Sequence, residues 1–542
     1  MSSQTPDQII DDEIQKLADQ LRVGPAPQAL SRLEVLLQQH PDNAAVLRLH
    51  GICLTQMGKA DQAEPYLARA AQLQPGSATA ASDHANVLLS LSRYDAALAI
   101  LLAHEKYLDA KVSPRDQAAF CFNLGRAFKQ TGQAQDAVKP LLTTLEIQPQ
   151  HYAALIVLGD VYKALGMAEE SGACYRRAIV TNATDGTAWW SLSNLKSRQR
   201  SGSFSDDEFL QLQQLNKGRK PLRQQMMFEF ALASGWDQRK EFERAFSHYR
   251  AGNQLARQRE PWDRQQFRFW LRSLQEKAAS LPLSPDLENS HGPRPIFIIS
   301  LPRSGSTLVE QVLAAHSQVT AASELPWIPQ LVAQESTHQG KGLSQWIEYL
   351  QPGEWLQLGQ QYLQKCSHWT RSTPVFTDKL PGNLPYIGAI LAMLPQALVI
   401  GVRREAMDVC WSGYRQLLMG GSEFLYDFPS LASYWQDFEA HMNFWEQRLP
   451  QRVMSVQYEN LVAEPESEIR RLLEFAGLPF EGACLSPQNA QRAVNTASAL
   501  QVREAIHRRG LGHWQAYANH LGELKQALQS KPEQKHHSSL MQ

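Results

Sequence analysis

Several features that would narrow function at once are missing from this 542-residue chain. Cysteine is scarce: Cys53, Cys121, Cys174, Cys366, Cys410 and Cys484 are scattered and show no CxxC spacing, which leaves neither a disulfide framework nor a zinc knuckle. An excess of one charge is missing too. Lys plus Arg number 53 against 54 for Asp plus Glu, so bulk charge does not hold this chain to nucleic acid or to a membrane surface, and any anion site must be local. No stretch approaches the ~20 apolar residues of a membrane helix. The opening MSSQTPDQIIDDEIQK lacks the basic and apolar regions of a signal peptide, so a soluble cytoplasmic chain is expected. Clustered metal ligands are also sparse: Cys366 with His368, and His536 with His537, have no matching second pair, and no metal is expected.

The length is too great for one core and suggests roughly two to four domains. The first third repeats itself every 34 residues: Gly51 and Gly58 lead to Ala85 and Ser92, and Gly125 and Gly132 lead to Gly159 and Gly166 after an insertion of six. Ala63, Ala97, Ala137 and Ser171 keep step, with Pro41, Pro75 and Pro149 at the joints. Small residues recur where paired helices must touch. The period is similar to that of the tetratricopeptide repeat, a helix-turn-helix unit that stacks into a solenoid. Four units are expected within residues 26–199, after an N-terminal helical or flexible segment at 1–25. A further, more divergent unit is expected at 226–257, inside a helical extension at 200–290. Such repeats commonly hold extended polypeptide or mediate dimerisation.

From about residue 291 the pattern changes to short apolar runs alternating with helices, the mark of an α/β domain with a mostly parallel sheet. Strands are expected at PIFIIS (295–300), PVFTD (374–378), ALVIGVR (397–403) and RVMSVQY (452–458), in a domain covering 291–522 and followed by a polar tail at 523–542. The strand PIFIIS runs into the turn Pro302-Arg303-Ser304-Gly305-Ser306-Thr307, which opens a helix. Backbone N–H groups at such a turn, with the positive end of the helix dipole, suit a phosphate or sulfate. The turn is not a Walker A sequence: Ser300 stands at the first glycine and Ser306 where the lysine belongs. Arg303 takes the cationic role instead, because a guanidinium bridges two anionic oxygens without a metal.

More features accompany the turn. Arg404 precedes Ser412 by eight residues in VRREAMDVCWSGY, so that a strand-end cation and a hydroxyl two turns into the next helix can converge on one phosphate; Arg403 is the adjacent alternative. Glu324 follows Arg303 by 21 residues, and a carboxylate in a partly dry pocket can accept the proton of an acceptor hydroxyl. Lys379 lies 25 residues ahead of Arg404.

Together these resemble the sulfotransferase family over about residues 290–520, most closely its tyrosylprotein branch and the bacterial relatives linked to tetratricopeptide repeats. The resemblance implies the donor 3′-phosphoadenosine 5′-phosphosulfate and no metal. Arg303, Ser304, Gly305, Ser306 and Thr307 would form the 5′-phosphosulfate loop, and Arg404 with Ser412 would hold the 3′-phosphate. Glu324 would be the catalytic base, while Lys379 would reach the bridging oxygen. Tyr458 would lie near the nucleotide, and Ser498 and Gln501 would belong to a segment that closes over it, with Trp514 following. This chain departs from the family at Glu504 and His513, which stand at basic positions of that segment. It departs again at Pro326 and Gln330, which stand where the tyrosylprotein enzymes carry arginines that receive an acidic peptide. The implied acceptor is thus a hydroxyl on a peptide tyrosine, a glycan or a small metabolite. Two other readings stand beside this one: a P-loop kinase with Asp378 as metal ligand, and a repeat scaffold with an inactive sulfotransferase-like domain.

Overall fold

The computed structural model describes residues 6–24, 27–108, 112–195, 203–259, 261–283, 292–371, 373–418, 420–490, 492–494, 496 and 498–530. The chain divides into two compact units, Met1–Ala183 and Thr184–Gln542.

The first unit is helical throughout. Helices Pro6–Val23 and Pro27–Gln39 precede four pairs: Ala44–Gln56 with Ala60–Leu73, Ala78–Ser90 with Tyr94–His104, Pro114–Gln130 with Ala134–Ile147, and Tyr152–Leu165 with Ala168–Thr181. Each pair starts at a side-chain cap, from Asn43, Ser77, Ser113 and His151 respectively, which satisfies N–H groups the first turn leaves unbonded. The 34-residue glycine step has a steric cause. A Cβ at Gly51, Gly125 or Gly159 would lie 2.5, 2.6 and 2.5 Å from Leu67, Leu141 and Tyr175 of the paired helix. The partner positions Ala63, Ala97, Ala137 and Ser171 are all 0% exposed.

The second unit begins earlier than the 199/200 boundary expected from the repeat period. Helix Gly186–Ser193 packs on helix Leu222–Gln238, where Ser234 Oγ donates to the Ser193 carbonyl at 3.1 Å and Gly186 leaves no room for a Cβ beside Met227. Leu222–Gln238 in turn pairs with Phe242–Arg259, and this hairpin is bound to the α/β part: Asn253 Nδ2 donates to the Tyr414 carbonyl at 2.9 Å. Arg268 extends the attachment by an ion pair with Asp437 at 2.6 Å.

The sheet has five parallel strands, β1 (Arg294–Ser300), β2 (Val319–Ala321), β3 (Val375–Asp378), β4 (Leu398–Arg403) and β5 (Val453–Gln457), in the order β2-β3-β1-β4-β5. Four strands lie where the apolar runs place them. The three-residue β2 was not expected, since Val-Thr-Ala is too short to show a period. Ile296, Ile298, Ile400 and Val402 pack on one face, Phe297, Ile299, Phe376 and Val399 on the other, so the sheet's centre is apolar on both faces. The chain reverses its direction of winding at β1, which has β3 on one side and β4 on the other. In open sheets of this kind the crevice beyond the strands' C-terminal ends at that switch point receives ligands.

The polar tail expected from residue 523 is shorter than its composition suggests. Helix Gly522–Gln529 docks on the domain through Leu524, which is fully buried, and Gln436 Nε2 donates to the Ser530 carbonyl at 2.9 Å. Residues 531–542, with His536 and His537, lie outside the described residues.

Candidate functional site

Each strand ends in a residue the sequence singles out. Arg303 follows β1, Glu324 follows β2, Lys379 follows β3, Arg404 follows β4 and Tyr458 follows β5. Parallel strands all point their C-terminal ends the same way, so a topology that was implicit in the spacing gathers all five on one edge.

The turn after β1 is conformationally demanding. Arg303 has φ +73° and Gly305 φ +100°. A Cβ on Gly305 would lie 2.3 Å from Tyr458 Cδ2, so glycine is needed both for the dihedral and for the close approach of the ring. Tyr458 also lies under the Arg404 guanidinium, 4.7 Å from ring centroid to Cζ. It opens helix Tyr458–Ala463 and does not extend the strand.

Arg303 and Arg404 meet directly. Arg404 Nη1 donates to the Arg303 carbonyl at 2.9 Å, and Arg404 Nη2 donates to the Gly510 carbonyl. Arg303 Nη2 donates to Gln501 Oε1 at 2.8 Å, Nη1 to Ser498 Oγ, and Nε reaches Ser412 Oγ at 3.5 Å. Among the described residues neither guanidinium has a carboxylate partner, and the buried Arg404 Nε has no acceptor. Burial, then the charges of Arg404 and Arg415, pull the Arg303 guanidinium down to about 10. Two cations held together without a counter-charge are unfavourable unless an anion joins them.

A cavity of about 680 Å³ opens on this pair. It brings together Arg303, Gly305, Thr307, Arg404, Ser412, Tyr458, Ser498 and Gln501 of the expected set. Ser304 and Ser306 are buried and do not line it. Arg403 points elsewhere: it pairs with Glu439 at 2.5 Å and Glu446 at 3.1 Å, which removes it as the alternative to Arg404.

Glu324 and Lys379 form a separate part of the site. Lys379 Nζ donates to Glu324 Oε1, with Lys379 1% exposed and Glu324 42% exposed at the side chain. The Glu324 carboxylate is thus half in solvent and held by a buried ammonium. Neither residue lines the cavity.

Sequence reasoning missed several residues. Asp237, from helix Leu222–Gln238, accepts from Arg415 Nη1 at 3.1 Å and from the Tyr517 hydroxyl, at the cavity wall. Phe204 and Arg239 also line it, so the helical extension helps enclose the space. Asp408 receives the Gly512 N–H on both carboxylate oxygens, at 3.0 and 2.9 Å. Glu310 was legible in principle, as a lone charge inside the apolar run STLVEQVL. Trp514 packs at the edge of the core, and His513 and Glu504 line the cavity, Glu504 paired with Arg509.

Asp378 is fully buried and accepts from the Tyr362 hydroxyl at 2.9 Å. Burial pushes its carboxyl up to about 8. Among the described residues no group of three or more His, Cys, Asp or Glu side chains is placed to hold an ion, and no helix is long and apolar enough to cross a membrane.

Residues 295–482 match the model of the sulfotransferase family, and residues 152–182 match a tetratricopeptide repeat. An uncharacterized protein of Aquifex aeolicus (strain VF5) is 29% identical over 437 residues, which is 78% of this chain and 56% of that relative. The protein-tyrosine sulfotransferase of Drosophila melanogaster is 23% identical over 236 residues, covering 40% of this chain and 46% of the relative. The chain thus spans about half the length of these two curated relatives. Among solved structures, the sulfotransferase domain of the Synechococcus PCC 7002 olefin synthase aligns at 24% identity and a TM-score of 0.32, covering 42% of this chain and 89% of that domain.

Proposed function

We propose that the second unit binds 3′-phosphoadenosine 5′-phosphosulfate and transfers its sulfuryl group to an acceptor hydroxyl. The observation that carries this reading is the Arg303–Arg404 contact, two guanidiniums in one cavity with no carboxylate partner among the described residues. A nucleotide with two separated anionic ends supplies the missing charge. Arg303 and the N–H groups of the turn would take the phosphosulfate end, and Arg404 with Ser412 the 3′-phosphate.

In the reaction the acceptor oxygen forms a bond to sulfur as the bond from sulfur to the bridging oxygen breaks. The acceptor proton passes to Glu324, and adenosine 3′,5′-bisphosphate departs. Negative charge grows on the bridging oxygen, where Arg303 and Lys379 would stabilise it. An ammonium has three N–H donors, so the bond Lys379 makes to Glu324 leaves two for that oxygen. Fixed cations thus fill the role a metal has in phosphoryl transfer. The acceptor is a hydroxyl on a peptide or small molecule, with peptide tyrosine suggested by the named relatives. The helical repeats would recruit polypeptide or a second copy of the chain, and the cytoplasm is the proposed location.

The competing kinase reading, with Asp378 as metal ligand, is weakened by the absence of a lysine at the position Ser306 occupies in the turn. Calorimetry with adenosine 3′,5′-bisphosphate, adenosine 5′-monophosphate and Mg-ATP tests the proposal. The bisphosphate should bind at least about tenfold more tightly than the monophosphate without added metal. Tighter, metal-dependent ATP binding would overturn it. Incubating a cell lysate with enzyme and heavy-sulfur donor, followed by mass spectrometry, identifies the acceptor; bisphosphate binding with no donor consumption would favour the inactive scaffold.

A further inference from the structure

Glu310 sits in the helix that starts at the turn, Ser306–Ala314, and is 0% exposed. A carboxylate so placed needs hydrogen bonds and a cation to remain charged. Its Oε1 accepts from the Ser323 backbone N–H at 3.1 Å and from Thr377 Oγ1 at 3.1 Å, and its Oε2 accepts from Arg492 Nη2 at 2.8 Å. Burial alone would raise this carboxyl, but the charges of Arg492 and Lys379, with the bonds from Arg492 and Thr377, outweigh it and hold Glu310 below the ordinary carboxylate range.

Ser323 is the residue these bonds act on. Its φ is +60°, a left-handed backbone that a residue with a Cβ rarely adopts and that persists where its surroundings over-determine it. The clamp is two-sided: Glu310 takes the Ser323 N–H, and the Lys379 N–H donates to the Ser323 carbonyl at 2.8 Å. The next residue is Glu324, whose carboxylate meets Lys379 Nζ.

We infer that Glu310 is a positioning residue for Glu324: by fixing Ser323 in the left-handed conformation it sets the direction in which Glu324 leaves β2 and meets Lys379. The inference rests on the reading of Glu324 as the base. It also joins the two parts of the site. Arg492, which neutralises Glu310, receives Arg503 Nη2 on its carbonyl at 2.6 Å, within the same C-terminal segment whose Ser498 and Gln501 accept from Arg303.

Hydrogen–deuterium exchange on the full chain tests the clamp. Glu310→Asp keeps the charge for Arg492 but withdraws the carboxylate from Ser323. The peptide covering residues 319–326 should exchange at least about tenfold faster in this variant, while affinity for adenosine 3′,5′-bisphosphate stays within about threefold. Thr377→Val, which removes one bond to Oε1 and leaves the buried ion pair intact, should raise the same exchange by a smaller factor. Unchanged exchange in both variants overturns the inference. Glu310→Asp should also lower donor consumption with a cell lysate as the source of acceptor by about tenfold or more, and adding Ser323→Gly should restore most of it, because glycine holds a positive φ without help. A loss that glycine does not repair overturns the positioning role. Glu324→Gln measured alongside separates the two failures: normal turnover there removes Glu324 as the base, and the exchange result still decides the clamp.

Discussion

The Arg404 guanidinium donates to the main-chain carbonyl of Arg303 at 2.9 Å, so two residues 101 positions apart in the chain share one wall of the cavity. The bond also orients the strained turn. Arg303 sits at φ +73°, and its carbonyl is held by the cation that follows the neighbouring strand.

Arg404→Ala should therefore weaken adenosine 3′,5′-bisphosphate far more than adenosine 5′-monophosphate. A lost pair of charge-assisted bonds is worth about 1.5–3 kcal/mol, or roughly 10- to 100-fold in affinity. Calorimetry of both nucleotides reads the difference. Equal weakening would count against a 3′-phosphate contact.

Glu324→Gln should leave bisphosphate binding nearly intact, because Glu324 does not line the cavity. Turnover should fall about 10²- to 10⁴-fold, the usual contribution of a general base. Single-turnover donor consumption measures this, and near-normal turnover would take Glu324 out of the role.

Gly305→Ala should be poorly tolerated. The new Cβ would be 2.3 Å from Tyr458, at φ +100°, and moving the ring away would strip Arg404 of its aromatic floor. Overpacking and backbone strain together suggest about 2–4 kcal/mol of lost stability. Chemical denaturation and bisphosphate titration should both report the damage.

Stability should fall in acid because of His441. This imidazole is buried on helix Phe428–Arg448 and accepts from Trp445 Nε1 at 3.0 Å, and burial pulls it down to about 3 from an ordinary 6.5. The unfolded chain takes up a proton below pH 6.5 that the folded one refuses until about pH 3. The stabilisation is complete above that window and is lost as pH falls through it, by up to about 1.4 kcal/mol per pH unit. Denaturation midpoints at pH 7 and pH 5 should differ less in His441→Gln than in the wild type.

Much of this architecture was legible in the residues. The glycine step at 51, 125 and 159 survives in the sequence because a helix crossing has room for no side chain there. The central strands were readable because a parallel sheet covered on both faces needs an unbroken apolar run. β2 was not readable, since three residues carry no period. Asp237 and Arg239 were hidden for a different reason: they look like ordinary helix-surface charges until the hairpin docks against the α/β part.

Sequence by itself determined the repeat, the parallel sheet and the identity of the strand-end residues, all set by local sterics and by hydrophobic period, which are written residue by residue. Tertiary structure alone decided which cations stay uncompensated. Arg403 and Arg404 are neighbours in the chain, yet one is neutralised by Glu439 and Glu446 and the other sits against Arg303 on one wall of an open cavity. Charge compensation depends on which carboxylates the fold brings within a few ångströms, and spacing along the chain does not encode that distance.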